Sequence, residues 1–274
     1  MTSQSFIKMH ALGNDFVILD ARKTLVSLTN DQVRFLADRN RGIGCDQVIL
    51  LEQSQRADLF MRIFNADGGE VEACGNAARC IGLLLIEKEG HRKASIETQA
   101  GLLRCTSADN NQITVDMGTP RLDWEDIPLA KKQDVLNLDI EVGPLKNPVA
   151  VNMGNPHAVF LVSDCSSVDL KQFGPILETD STFPEKANIS IAEIIDAENI
   201  RLRVWERGVG ITLACGTAAC ATLVAANLRG AIGREAKMRL DGGTLQVCWQ
   251  KDGRVMMTGP ATMSFSGSLE WQSM

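Results

Sequence analysis

"EACGNAARCIG" (Glu72–Gly82) and "LACGTAACATL" (Leu213–Leu223) are two versions of one element. Each places a cysteine before Gly and a small or polar residue, then runs into apolar residues at helical density. From Gly75 to Glu87 the residues are apolar nearly all round, and Gly90 ends the run; the second run, Gly216 to Leu228, ends at Gly230. A helix with almost no polar face must be enclosed on most sides. Both cysteines are expected at the N-terminal ends of buried helices.

Cys215 follows Cys74 by 141 positions (215 − 74), and that offset recurs. "GNDF" from Gly13 meets "GNPH" from Gly154, "DQVIL" from Asp46 meets "ANISI" from Ala187, and "MRIFN" from Met61 meets "LRVWE" from Leu202. "DMG" from Asp116 meets "MTG" from Met257, and the register slips by one only around Gly101 and Gly243. Ordered anchors on one long offset indicate a duplicated domain, not a solenoid. Residues 1–118 read as the first copy and 146–262 as the second, so the domains are taken as 1–118 and 119–262. The stretch from Thr119 to Asn147, punctuated by prolines, reads as a connector. The tail 263–274 has no counterpart and is expected to pack on the first copy.

Strand patterns dominate the rest of each copy. "FIKMHAL" and "DFVILD" flank the Gly13-Asn14 turn, and "TNDQVRFLADR" carries a capping box, Thr29 to Gln32, ahead of helical spacing. The fold class is α+β: two pseudo-symmetric domains from an internal duplication, each a mixed β-sheet barrel wrapped around a central apolar helix.

Composition narrows the functions. The chain has 274 residues, 45% hydrophobic and 23% charged, with net charge −6. It has no basic cluster for nucleic acid, no stretch of membrane-spanning length and no leader-like start. The expectation is a cytoplasmic protein with a small-molecule partner, and neither nucleic acid nor membrane. Eight cysteines and three histidines show no paired metal-ligand spacing, so no metal is expected. "RGIG" and "RGVG" are too short for a nucleotide fingerprint, and no cofactor is implied.

A thiol in the first turn of a helix meets unpaired backbone N–H groups and partial positive charge, which favour ionisation below the free value of about 8.5, while apolar burial opposes it. The same N–H groups hold carboxylates, and Asn76 and Thr217 add side-chain donors. Two such helix ends facing a shared cleft would suit inversion at a carbon stereocentre: one thiolate removes a proton and the opposite thiol returns one. Cys45, Cys80, Cys105, Cys165, Cys220 and Cys248 read as inert packing. Taken singly, Asn14 and Asn155 are turn residues, His157 is a satisfied histidine and Glu206-Arg207 is a surface ion pair.

On "MHALGNDFVILD", "GIGCDQV", "FNADGGEVEACGNAARC", "MGNPHAV", "FPEKANI", "WERGVGITLACGTAACA" and "MMTGPA", in that order, the chain resembles the diaminopimelate epimerase family over essentially its whole length. The resemblance implies cofactor-independent interconversion of LL- and meso-diaminopimelate, a step toward lysine and peptidoglycan precursors, in a homodimer. It implies Cys74 and Cys215 as the acid–base pair, with His157 beside them and Glu206 catalytic as well as substrate-binding. Gly75, Asn76, Gly216 and Thr217 would bind the carboxylate of the reacting end. Asn14, Gln47, Asn65, Asn155 and Asn188 would bond substrate polar groups, and Glu206 and Arg207 would contact the ammonium and carboxylate ends. Ala11, Ala77 and Ala218 stand where the family's pattern has Gly, and Ile211 where it has an acidic residue, so a charge near the second cysteine is expected to be missing. Two other readings stay open: a proline-racemase-like enzyme, although Asn76 replaces the histidine expected there, and a redox sensor using Cys74 and Cys215.

Overall fold

A computed structural model describes residues 2–23, 26–72, 74–109 and 112–271. The chain divides into two units, Met1–Val115 with Gly259–Met274, and Asp116–Thr258.

In unit 1, β1 (Thr2–Ala11) turns back into β2 (Asn14–Asp20); then come α1 (Asn30–Ala37), β3 (Gln47–Glu52), β4 (Leu59–Asn65) and β5 (Glu70–Val71). The buried helix α2 (Gly75–Leu83) follows, closed by a π turn (Leu84–Lys88), then β6 (Lys93–Thr98), β7 (Gly101–Ala108) and β8 (Gln112–Asp116). Gly13, at φ 88°, makes the β1–β2 turn in a conformation that costs other residues energy. Thr29 and Gln32 form the capping box at the start of α1.

Unit 2 carries the short β9 (Glu141–Val142) and β10 (Leu145–Lys146), then β11 (Val149–Asn152), β12 (Pro156–Val162), α3 (Leu170–Glu178), β13 (Asn188–Asp196), β14 (Asn199–Glu206) and β15 (Gly210–Thr212). Helix α4 (Gly216–Leu228), β16 (Glu235–Leu240), β17 (Gly243–Trp249) and β18 (Val255–Pro260) complete it. The final strand, β19 (Thr262–Trp271), pairs antiparallel with β1 and so belongs to unit 1.

Pairing reproduces the repeat residue for residue. The parallel pair β2–β3 sets Phe16 against Gln47, and β12–β13 sets His157 against Asn188. Antiparallel β3–β4 sets Val48 against Phe64, and β13–β14 sets Ile189 against Trp205. The one-residue slip begins earlier than the glycine turns. Leu59 pairs with Ile96 in unit 1, but Ile200 pairs with Met238 in unit 2, so the extra residue enters ahead of β16. A parallel β2–β3 link needs a crossover, and α1 supplies it as α3 does in the second unit.

Each sheet is covered on both faces. In unit 1, Val33 and Leu36 of α1 pack with Val17, Leu19, Val48 and Leu50. Leu36 is fully buried, and truncating it to Ala costs about 2–5 kcal/mol. On the inner side every residue of α2 is buried. Helix α4 touches β11, β12, β13, β16 and β17, a strand set that encloses it. The stretch read as a connector is part of the second core: Ile127, Leu129, Leu138, Ile140 and Leu145 pack with Phe160, Leu170 and Ile189. Its prolines punctuate loops, but its apolar residues are buried.

Candidate active site

Cys74 and Cys215 are the N-cap residues of α2 and α4, both with extended backbone. Gly75 with Asn76, and Gly216 with Thr217, open the two helices.

In unit 1, Asn14 at the start of β2 meets the start of α2. Cys74 Sγ accepts from the Ala77 N–H at 3.4 Å and lies 4.0 Å from Asn14 Oδ1. Asn76 Nδ2 donates to the same Asn14 oxygen at 3.1 Å. Gln47 Nε2 donates to Asn65 Oδ1 at 2.9 Å across β3–β4. Gln47 Oε1 is buried with no hydrogen-bond partner among the described residues.

Unit 2 holds the homologous positions with different chemistry. Asn155 Oδ1 lies 2.8 Å from His157 Nε2, so that nitrogen carries a proton. His157 is fully buried, and its Nδ1 has no hydrogen-bond partner among the described residues. Burial first, and the Arg207 charge second, push its pKa down to about 3, so the ring is neutral at physiological pH. Asn188 donates to the Pro156 carbonyl and accepts from the Arg207 backbone N–H, each at 3.0 Å. The Arg207 guanidinium donates to the Glu185 carbonyl at 2.9 Å.

Cys215 is 5% exposed, and Thr217 Oγ1 lies 3.4 Å from its sulfur. Burial, and then the Glu206 carboxylate, hold its thiol well above the ordinary range, while Thr217 pulls the other way. Thr212 donates to Glu206. Ile211 is 37% exposed on β15, where it pairs with Trp205. With no acidic side chain at 211, the carboxylate acting on the second cysteine is that of Glu206.

Four residues that the sequence reading passed over support these positions. Asp46 accepts from Asn14 Nδ2 at 3.0 Å. Arg79, fully buried on α2, donates to Asn76 Oδ1 at 2.9 Å; a lone cation in an otherwise apolar helix was the signal. Thr212 had none. Glu178 accepts from Trp205 Nε1 at 2.7 Å and from the Gly208 N–H at 3.1 Å, bracketing the turn that carries Glu206 and Arg207. Among the described residues no cluster of His, Cys, Asp and Glu is arranged to hold a metal.

Known proteins match this chain both in fold and in sequence. A hydroxyproline epimerase from Agrobacterium vitis superposes with a TM-score of 0.68 at 16% identity, covering 97% of this chain and 92% of that one, which shows the shared fold. Diaminopimelate epimerases of Rhodospirillum centenum and Erythrobacter litoralis are 52% and 54% identical, covering 96% and 97% of this chain and 91% and 97% of their own lengths. Fold and relatives together define the class: an amino-acid epimerase, an isomerase. The diaminopimelate epimerase family model matches residues 6–122 and 149–264, one match in each half, and the chain belongs to that family.

Proposed function

We propose that the chain interconverts LL- and meso-diaminopimelate by a two-base exchange at one α-carbon. One of Cys74 and Cys215 removes the proton and the other returns one to the opposite face. The observation that carries this reading is the pair of N-cap thiols, each at the start of an enclosed helix whose first N–H groups suit a carboxylate. Gly75, Asn76, Gly216 and Thr217 bind the carboxylate at the reacting carbon, and the same donors stabilise the charge that develops as the proton leaves.

Glu206 is the proton acceptor at hand for Cys215 and also a partner for a substrate ammonium. Neutral His157, through Asn155, and Asn14, Gln47, Asn65 and Asn188 give hydrogen bonds that fix the substrate. Arg207 takes the distal carboxylate, which sets a diamino diacid apart from proline-type substrates. The enzyme acts in lysine and peptidoglycan precursor synthesis in the cytoplasm, as a homodimer. No helix among the described residues is long and apolar enough to cross a membrane. The exposed Met263 and Phe265 of β19 offer apolar surface to a second copy.

Incubation with LL-diaminopimelate in heavy water tests the reading. Deuterium should enter at one α-carbon per turnover as the meso isomer forms. Epimerisation without solvent deuterium, or no epimerisation by folded protein, would overturn it.

A further inference from the structure

A chain of hydrogen bonds in unit 1 runs past the Cys74 sulfur with a charge at each end. Arg79 donates to Asn76 Oδ1 at 2.9 Å, Asn76 Nδ2 donates to Asn14 Oδ1 at 3.1 Å, and Asn14 Nδ2 donates to Asp46 Oδ2 at 3.0 Å. A guanidinium only donates, and a carboxylate only accepts. The two ends therefore fix which way both amides point, and a flip of either would set two donors or two acceptors face to face. The outcome at Cys74 is definite: Asn14 presents its carbonyl oxygen, 4.0 Å from the sulfur, and not its NH2 group.

Both ends are built in. Arg79 is fully buried, and its Nε also donates to the Pro260 carbonyl at 3.3 Å. Asp46 is held in turn by Arg39 at 2.8 Å, and its other oxygen also accepts from the Asp15 N–H. Arg39 and Lys8 both pair with Asp15. Unit 2 has nothing of the kind: Cys220, Thr217, Asn155 and Ala187 stand at the repeat positions of Arg79, Asn76, Asn14 and Asp46.

We infer that Arg79 and Asp46 are positioning residues which, acting through Asn76 and Asn14, keep a neutral acceptor on Cys74 so that its proton is retained until substrate arrives. This deepens the acid–base reading of Cys74 and rests on it for its catalytic meaning, but the orientation itself is testable without turnover. Asp46→Asn supplies a side chain that donates as well as accepts. Asn76, still held by Arg79, keeps Asn14 in place; with Arg79→Met added, both amides can turn together and Asn14 brings its NH2 group toward the sulfur, a contact that favours the thiolate.

The test is the rate at which iodoacetamide alkylates Cys74 of the full chain at one neutral pH, followed by peptide mass spectrometry, with Cys215 as internal reference. Arg79→Met combined with Asp46→Asn should raise the Cys74 rate about threefold, the thiolate gain of half a pKa unit. Asp46→Glu, which still only accepts, should stay at the wild-type rate. That rise should exceed the product of the single effects, because both ends of one chain are released. An unchanged Cys74 rate in the folded double variant, or an equal rise in Asp46→Glu, overturns the inference. If Arg79→Met does not fold, Arg79→Gln, which can accept as well as donate, replaces it in the double variant with the same two outcomes. Failure of deuterium incorporation by the wild type would sink the epimerase reading and leave this result standing.

Discussion

The two half-sites share a backbone and differ in charge. Cys74 has a neutral amide oxygen as neighbour, and the ions that orient it lie a bond or two away. Cys215 is buried directly beside a carboxylate. Asn65 and Glu206 hold the same repeat position; the first bonds Gln47 and the second faces the thiol. The lesson is that duplication conserved where the groups stand while letting the protonation chemistry diverge. That suits a reaction whose substrate has different groups on its two sides.

The largest expected effect tests whether both sulfurs matter equally. Cys74→Ser and Cys215→Ser should each lower kcat by about 10³, within the range of a lost acid or base, in both reaction directions. Near-normal turnover by either variant breaks the symmetry on which the mechanism is built. Glu206→Gln comes next. It keeps the shape beside Cys215 but removes the proposed proton acceptor, and kcat should fall about 10²-fold with the thermal midpoint little changed. A loss confined to KM would reassign Glu206 to substrate binding alone. Arg207→Ala should raise KM for diaminopimelate about tenfold or more, as expected for one charge-assisted hydrogen bond, and leave kcat nearer to wild type. Unchanged KM would place the distal carboxylate elsewhere.

The smallest effect distinguishes the units by acid. His157 has its folded pKa depressed from 6.5 to about 3, so the stability it confers is present above 6.5 and is lost as pH falls toward 3. In unit 1, burial raises the pKa of Asp15, but Arg39 and Lys8 outweigh it and bring the value to about 2, from 3.8. Its contribution is lost only in that lower window. Hydrogen exchange at pH 4.5 should therefore show unit 2 loosening before unit 1, and the reverse order would contradict the burial of a neutral His157. At the alkaline end the units should weaken together. Burial raises Cys45 and Cys105 in unit 1 and Cys165 in unit 2 from 9.0 to about 12, and that stability fades as pH climbs through this range.

Much of this was legible in the residues. The 141-residue offset, the enclosed helices and the cysteines at their starts follow from periodicity and repetition, and the strand pairs carry that offset into the ladder. What escaped the reading has physical reasons. Arg79 reads as a break in an apolar helix until its burial is seen, and Asp46 gains meaning only when the β2–β3 crossover brings it beside Asn14. Glu178 sits at the end of an amphipathic helix where a solvated carboxylate is the ordinary expectation, but it is buried against Trp205. The Thr119–Asn147 stretch looked like a linker because composition reports prolines and charges more loudly than a few interspersed apolar anchors.

The pairing of β1 with β19 has a consequence for biosynthesis. Thr2 is matched with Trp271, so the opening strand leaves the ribosome long before its neighbour is translated. Residues 116–258 form one uninterrupted stretch and have their whole sheet in hand once synthesised. The half that begins first is thus finished last. Until β19 is synthesised, β1 keeps a bare hydrogen-bonding edge, the kind of surface chaperones guard and neighbouring polypeptides invade.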